Sequence, residues 1–192
     1  MYDGYPNLRE KTFCDPARNY PFQTWCEDDS AGGLDHYDAT MLCTHGSIAG
    51  QMWRPYPCWD PSGAEDCFSY PNVNWRLGDD NLEFLVMMSC WSMQDTDWAA
   101  WGNGVVGLHQ INGWHGRVCL QCDGQMDDRI EEYVDDAFNM PIATSWTLNL
   151  TIWDEPYDMC PVARAEGNTA KDAVWRLNNE QYDDVKSDPT GN

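Results

Sequence analysis

The sequence predicts an α/β fold built on a mainly parallel sheet. Two apolar runs that look like short buried strands end at the pairs His45-Gly46 and Ser89-Cys90. Helical periodicity is best in residues 127–138, where apolar residues recur at helical spacing opposite an acidic face. Strands that alternate with helices are typical of parallel sheets, because crossover helices cover the sheet faces. Residues 1–192 are expected to form one domain, because a chain of 192 residues is long enough to bury a hydrophobic core.

Three strands are expected in the first two thirds of the chain, in residues 39–46, 82–90 and 107–113. The interval 47–75 between the first two is rich in proline, tryptophan and cysteine. We expect it to be a long irregular insertion, which is usually functional or covalently tied down. Residues 95–106 are weakly helical, because two glycines interrupt them.

The last third predicts more regular structure. After the helix at 127–138, we expect a second helix at 142–153 and a strand at 159–165. Thr169 is placed to cap a final helix. The residues of that helix expected to face inward are Ala170, Ala173, Val174 and Leu177.

The charge balance is strongly acidic. The chain has 32 acidic residues against 11 lysines and arginines, for a net charge of −21. Nucleic acid and anionic membranes would be repelled, so neither is an expected partner. Three explanations stay open: a highly solvated surface, adaptation to high salt, or a cationic substrate. No apolar stretch is long enough for membrane insertion, and no signal peptide is visible at the start.

Cysteine usage suggests an extracellular or cell-surface protein. Nine cysteines are many for a cytosolic chain, and an odd number suggests disulfides plus one free thiol. If Cys90 is the free one, the other eight could form up to four disulfides, whose pairing the sequence does not determine.

His45 and Cys90 are the residues in these strand-end pairs that can carry chemistry. Carboxyl ends of adjacent parallel strands meet at one sheet edge, which would bring an imidazole and a thiol together. A thiol needs a base or a positive neighbour to act as a nucleophile, and His45 could supply either. Gly46 permits a sharp turn and exposes an N–H that could bind an oxyanion, with the N–H of Cys90 as second donor. The alternative is a buried cysteine and an ordinary turn histidine.

The two blocks Leu42-Cys43-Thr44-His45-Gly46 and Leu85-Val86-Met87-Met88-Ser89-Cys90 resemble the caspase–gingipain–legumain group of cysteine peptidases. In that group the histidine and cysteine of these blocks form the catalytic dyad. The resemblance implies a caspase-like three-layer sandwich, with the sheet flanked by helices. Met88 departs from the residues that many members carry, and no acidic specificity residue can be transferred.

A closer resemblance covers most of the chain and is to an uncharacterised microbial domain family, related to the caspase-like group and without an established activity. The motifs that carry it are Trp25-Cys26-Glu27-Asp28-Asp29, His45-Gly46, Leu77-Gly78-Asp79-Asp80-Asn81-Leu82-Glu83, Ser89-Cys90 and Gly107-Leu108-His109-Gln110-Ile111-Asn112-Gly113.

Further residues are candidates for substrate binding near the dyad. Trp114 and His115 follow the third strand and could line a pocket, or could simply pack in an aromatic turn. His109 could also face substrate, although a core histidine is the more common case. Trp91 belongs to an aromatic group that could bind a sugar or peptide. Asp80 could favour a basic side chain next to the scissile bond.

No cofactor is expected. His115, Cys119 and Cys122 have the spacing of half a zinc site, but a single C-x2-C is a weak signal and disulfides are favoured over metal. The sequence therefore predicts a cysteine-dependent hydrolase, an endopeptidase acting on peptide or protein substrates with basic side chains. The alternative is a non-catalytic secreted or surface binding module on the same fold.

Overall fold

A computed structural model shows how the strands and helices are arranged. It describes residues 37–43, 45–46, 51–53, 67–69, 77–78, 81–94, 105–118, 126–151 and 160–185. The described strands are β1 (Ala39–Cys43), β2 (His45–Gly46), β3 (Gln51–Trp53), β4 (Cys67–Ser69), β5 (Phe84–Met88), β6 (Gln110–Trp114) and β7 (Pro161–Ala165). The described helices are α1 (Met126–Asp136), α2 (Ile142–Leu150) and α3 (Ala170–Asn179).

The main sheet has four strands in the order β1-β5-β6-β7. β1 pairs with β5 and β5 with β6 in parallel, whereas β7 runs antiparallel to β6. The predicted α/β class is confirmed, but the sheet is mixed rather than purely parallel. The difference from the prediction lies in the outermost strand, β7. It begins beside the carboxyl ends of β5 and β6, runs antiparallel to β6, and is followed by α3.

A second, smaller sheet occupies part of the interval predicted to be irregular. β2, β3 and β4 form a three-stranded antiparallel sheet, in which His45 pairs with Trp53 and Gly46 with Met52. The run predicted as one strand over 39–46 is therefore divided between two sheets. β1 ends at Cys43, and the His-Gly pair begins the small sheet.

The predicted helices of the last third are confirmed, with small differences in their ends. α1 lies within two residues of the predicted 127–138, and α2 begins at Ile142 as expected but ends at Leu150. The expected late strand is β7. The weak helix predicted for 95–106 lies outside the described residues, except for its last two positions, where Val105 forms an isolated parallel bridge with Leu77.

Each face of the main sheet packs on its own cluster of buried side chains. In β5 the residues alternate between the two clusters, as the two-residue period of a strand requires. The first cluster contains Leu42, Leu77, Leu82, Leu85, Met87, Met93, Val105, Leu108 and Ile111. The second contains Phe84, Val86, Met88, Trp114, Met126, Tyr133, Ala137, Ile142, Trp146 and Leu150. The helical members all belong to the second cluster, so α1 and α2 cover that face. A helical layer on the opposite face is not among the described residues, and the three-layer caspase-like arrangement stays a prediction.

The predicted start of α3 is confirmed, and its predicted inward face is correct in part: Ala173 and Leu177 are half-buried, whereas Ala170 and Val174 are exposed. The Thr169 side chain accepts a hydrogen bond from the Asp172 N–H at 3.2 Å, as an N-cap does. Val174 is 57% exposed, whereas Arg176 is fully buried. The buried side of the helix is centred on Arg176, whose Nη1 lies 3.0 Å from Oε1 of the buried Glu180 one turn later.

Two glycines allow the turn before β5 and the turn before β6 to pack closely against each other. Gly78 and Gly107 have φ of +94° and +100°, which side chains rarely adopt. A Cβ on Gly78 would lie 2.2 Å from the Leu108 nitrogen, so the two backbones can approach only without a side chain there. No helix among the described residues is long and apolar enough to cross a membrane.

Candidate active site

The backbone places the strand ends that lead to His45 and Cys90, the predicted dyad, at the same edge of the main sheet. The parallel register of β1 and β5 pairs Cys43 with Met88, the last residue of each strand. His45 and Cys90 each lie two residues beyond that pair. The topology therefore brings the two strand ends together, as predicted from the sequence. The structure describes only the backbone of His45 and Gly46.

Cys90 carries a half-buried free thiol that is bonded to the backbone of a distant loop. Its Sγ donates to the carbonyl oxygen of Val118 at 3.3 Å and accepts from the N–H of Val118, also at 3.3 Å. The two contacts hold the sulfur at the surface of the sheet edge.

The loop after Cys90 is fastened to the loop after β6. Trp91 donates its N–H to the carbonyl of Gly116 at 2.7 Å, and Met93 donates to the carbonyl of Trp114 at 3.0 Å. Ser92 Oγ accepts from the Trp114 N–H at 3.1 Å. These bonds fasten the three residues that directly follow Cys90 to the end of β6 and the residues after it.

Trp91 has a φ of +52°, the only positive value at a described residue other than glycine. A side chain in this left-handed region costs roughly 1–2 kcal/mol. Strain of this kind is retained where the surrounding structure holds it, and it is common at active sites. Here it turns the chain sharply directly after the thiol.

The Cys90 N–H is the second predicted oxyanion donor. Within the described part of the chain, no group accepts a hydrogen bond from it, although the neighbouring Trp91 N–H is bonded. An N–H directed at no acceptor next to a thiol is what a developing oxyanion requires.

Arg117 lies beside this site and was not predicted from the sequence. Its Cζ is 5.2 Å from the centroid of the Trp91 ring, within the range of a cation–π contact, and its side chain is exposed. Arg117 also directly precedes Val118, whose backbone binds the thiol.

His109 is distant from this edge, because it lies just before β6 rather than after it. It is fully buried, and its Nδ1 is 3.0 Å from Oε1 of Glu180. Oε1 also accepts from Nη1 of Arg176 at 3.0 Å. The structure therefore places His109 in a buried ionic cluster with the end of α3, in the role of a core histidine.

The other predicted substrate-binding residues divide between core and surface. Trp114 is fully buried, and its ring packs on Trp146 with centroids 5.5 Å apart, so its contacts are those of a core side chain. His115 is exposed, and its N–H donates to the carbonyl of Cys160 at 2.9 Å. Trp91 lies at the site, as described above. Asp80 lies outside the described residues.

The described residues include only some of the cysteines that could form disulfides or bind a metal. Two thiols are described as free, Cys90 and the exposed Cys160. A free Cys160 departs from the expectation that all eight cysteines other than Cys90 could pair. No group of histidine, cysteine and acidic residues suited to a metal occurs in the described ranges. Cys119 and Cys122 lie outside them.

Comparison with known proteins places the chain in a family. A family model described as a domain of unknown function, DUF6345, matches residues 10–189. The chain belongs to the DUF6345 family. Searches of curated proteins and of solved structures found no match for this DUF6345 protein. The expected membership of a family of unknown function agrees with this result, and the relation to the caspase-like group stays a prediction.

The features that sequence reasoning missed depend mostly on contacts across the fold. Cys90 and Val118 are 28 residues apart, and an apolar side chain gives no sign that its backbone will bind a sulfur. One signal was present: Arg176 and Glu180 have the i, i+4 spacing of a helical ion pair.

Proposed function

We propose that this DUF6345 protein is a cysteine-dependent hydrolase, an endopeptidase, that uses a dyad of His45 and Cys90. The observation that carries the proposal is a half-buried free thiol at the carboxyl end of β5, next to the strand end that leads to His45. Ligand sites in open α/β sheets are built at such strand ends.

The proposed reaction has two steps. In the first, the thiol proton of Cys90 passes to His45 and Sγ bonds to the carbonyl carbon of a peptide. His45 then gives that proton to the leaving amine as the C–N bond breaks. In the second, His45 takes a proton from water, the hydroxyl adds to the thioester carbon, and the C–S bond breaks as His45 returns the proton to the sulfur. The N–H groups of Gly46 and Cys90 stabilise the oxyanion in both steps.

Three features of the described loops support this role. Val118 positions the sulfur, the turn at Trp91 exposes it after the strand, and the Cys90 N–H has no acceptor among the described residues. Preorganised donors in a fixed loop are effective because they need no rearrangement during the reaction.

The first experiment is selective alkylation of the native protein. Unreduced protein is treated briefly with dilute iodoacetamide, and the modified cysteines are located by peptide mass spectrometry. Fast labelling of Cys90 that is lost in His45→Ala is the expected result. The exposed thiol of Cys160 is the internal control, because its labelling rate should be the same in His45→Ala as in the unmodified protein.

The second experiment tests turnover on a mixture of peptides. Cys90→Ala should abolish cleavage and leave the circular dichroism spectrum unchanged, while Cys160→Ala should cleave as the unmodified protein does. Cleavage that persists in Cys90→Ala contradicts the proposal.

A non-catalytic binding module is the second candidate. One observation favours it: the Cys90 thiol already has a donor and an acceptor in Val118, and a structural cysteine has such partners too. Slow labelling of Cys90 that does not depend on His45 would support this candidate over the hydrolase.

A further inference from the structure

An imidazole and a thiol face each other where the main sheet ends. The pairing of β6 with β7 has Trp114 opposite Pro161 as its outermost pair. The N–H of His115 donates to the carbonyl oxygen of Cys160 at 2.9 Å, so the antiparallel pairing continues by one more pair. Residues directly opposite each other on antiparallel strands project their side chains from the same face, with Cβ atoms about 4.5–5.5 Å apart. His115 and Cys160 are therefore neighbours on one face of the sheet.

Neither of these two side chains fills the core. His115 and Cys160 are both exposed, and Cys160 is a free cysteine. Free cysteines are among the most buried residue types, because the thiol behaves as a small apolar group. An exposed thiol beside an exposed imidazole instead combines the two ligand types that zinc sites use most.

The chain that follows His115 supplies two more thiols at the spacing of metal ligands. The pattern His115-x3-Cys119-x2-Cys122 is typical of zinc ligands that come from one loop, and Cys160 completes a set of three cysteines and one histidine. Cys119 and Cys122 lie outside the described residues, so their part in the set rests on spacing alone.

The described end of this loop lies at the edge of the sheet that His115 and Cys160 share. Val118, the residue before Cys119, has its N–H and its carbonyl oxygen each 3.3 Å from Cys90 Sγ, beyond the carboxyl end of β5. The chain therefore enters the C-x2-C motif from the same edge of the sheet.

A disulfide between Cys119 and Cys122 is the alternative that the sequence favours. It accounts for two of the four residues and leaves the exposed pair of His115 and Cys160 without a role. One metal ion accounts for all four, because structural zinc sites have four protein ligands.

We propose that His115, Cys119, Cys122 and Cys160 bind a structural Zn²⁺ ion. The histidine binds through a neutral ring nitrogen and the cysteines bind as thiolates, each thiol releasing its proton to solvent. With four protein ligands the ion has no open position for a substrate, and it joins the start of β7 to the loop after β6. The inference is independent of the proposed hydrolase, and it replaces the expectation of no cofactor.

The affinity for Zn²⁺ is the first measurement. The reduced protein is freed of metal, and Zn²⁺ is titrated in competition with a chromophoric chelator. The unmodified protein should bind Zn²⁺ with a Kd in the nanomolar range or tighter. Cys160→Ser and His115→Gln should each weaken binding by about 100-fold or more, since losing even a hydrogen-bond partner of a ligand costs about 10–100-fold. Cys90→Ser, which removes the other described free thiol, is the matched control and should keep the affinity.

Three results of this titration would overturn the site. They are an unmodified protein without tight binding, a Cys160→Ser variant with unchanged affinity, and a Cys90→Ser variant that loses as much affinity as Cys160→Ser.

Protection from iodoacetamide tests the same site in the unmodified protein, whatever the stability of the variants. Zn²⁺ should slow the labelling of Cys119, Cys122 and Cys160 together, whereas Mg²⁺, which prefers oxygen ligands, should not. Cys90 should label at a similar rate with and without Zn²⁺, which keeps this result separate from the test of the dyad. Labelling of Cys160 that Zn²⁺ leaves unchanged contradicts the proposal, as does a disulfide between Cys119 and Cys122 in freshly isolated, unreduced protein.

Discussion

The two ends of β6 are each next to a histidine, and the two ends differ in what surrounds it. His109 directly precedes the strand and is fully buried, whereas His115 directly follows it and is exposed. The first end is closed by α3 through Arg176 and Glu180. The second end meets the loop that carries Cys90.

At the closed end, buried polar and charged side chains lie against one another. A single carboxylate oxygen of Glu180 lies 3.0 Å from both His109 Nδ1 and Arg176 Nη1, and Gln110 Nε2 donates to the carbonyl of Arg176 at 3.1 Å. All four side chains are buried, so the cluster docks α3 on the sheet and excludes ligands. At the other end of β6, the open end, the described contact of the Cys90 thiol is with backbone atoms of Val118, and that of the Arg117 guanidinium is with the Trp91 ring. The comparison teaches that similar residue types become buried or exposed according to which segments the fold packs against them.

The largest expected effect is at the closed end. Glu180→Ala leaves the buried charge of Arg176 without its carboxylate, which should lower the free energy of unfolding by about 3–5 kcal/mol. Urea unfolding followed by tryptophan fluorescence measures it. Glu131→Ala, at an exposed position of α1, is the control and should change stability by less than about 0.5 kcal/mol. Cys90→Ala at the open end should cost about 1 kcal/mol. Similar losses in all three would contradict the difference between the ends.

The second largest effect is expected at alkaline pH, which should lower the free energy of unfolding. Burial raises the pKa of Tyr182 to about 12, and its hydroxyl lies 2.7 Å from that of Tyr133. The folded protein thus keeps a proton that an unfolded tyrosine loses near pH 10. This contribution is complete below pH 10 and is lost as pH rises through about 12. Over this range the free energy of unfolding falls by about 1.4 kcal/mol per pH unit for each proton that only the folded state retains.

Urea unfolding at several alkaline pH values measures this slope. Tyr182→Phe removes the group and should flatten the dependence, even if the variant starts from a lower stability. An equally steep decline in the variant would mean that other groups cause it.

At the open end, backbone strain at Trp91 should reverse the usual order of stability between an alanine and a glycine variant. Trp91→Gly and Trp91→Ala both lose the ring under Arg117, but alanine keeps a Cβ in the left-handed region. The glycine variant should therefore be more stable than the alanine variant by about 1 kcal/mol. The exposed helical position Lys171 is the matched control, because alanine should be the more stable replacement there. The same order at both positions would show that the turn relaxes without strain.

The smallest expected effect concerns Glu166, at the rim of the closed end. Burial raises the pKa of its carboxyl, and the nearby charge of Arg176 opposes that shift. The folded state therefore holds a proton that the unfolded state releases above about pH 4.5, so stability falls as pH rises through the raised pKa. Glu166→Gln removes this fall, and its stability relative to the unmodified protein should increase from acidic to neutral pH. The side chain is partly exposed, so solvent screens the effect and the slope is the quantity to measure. A constant difference between the two proteins would contradict the assignment.

Local patterns predicted much of the fold and the main site residues. Apolar runs predicted β1 and β5, the period of α1 predicted its helix, and Thr169 predicted the start of α3, because each signal lies within a few neighbouring residues. The adjacency of the strand ends that lead to His45 and Cys90 followed from a general property of parallel strands. The irregular interval was harder, because its short strands depend on pairing with His45 and Gly46.

The sequence by itself determined the α/β class, the acidic charge balance, and the chemistry that Cys90 can offer. Only the tertiary structure decided the direction of β7, the burial of Arg176, and the contacts of the thiol with Val118. The physical reason is distance along the chain. A side chain's type is written at one position, but its partners come from segments many residues away, and those partners decide whether it packs, pairs or stays available.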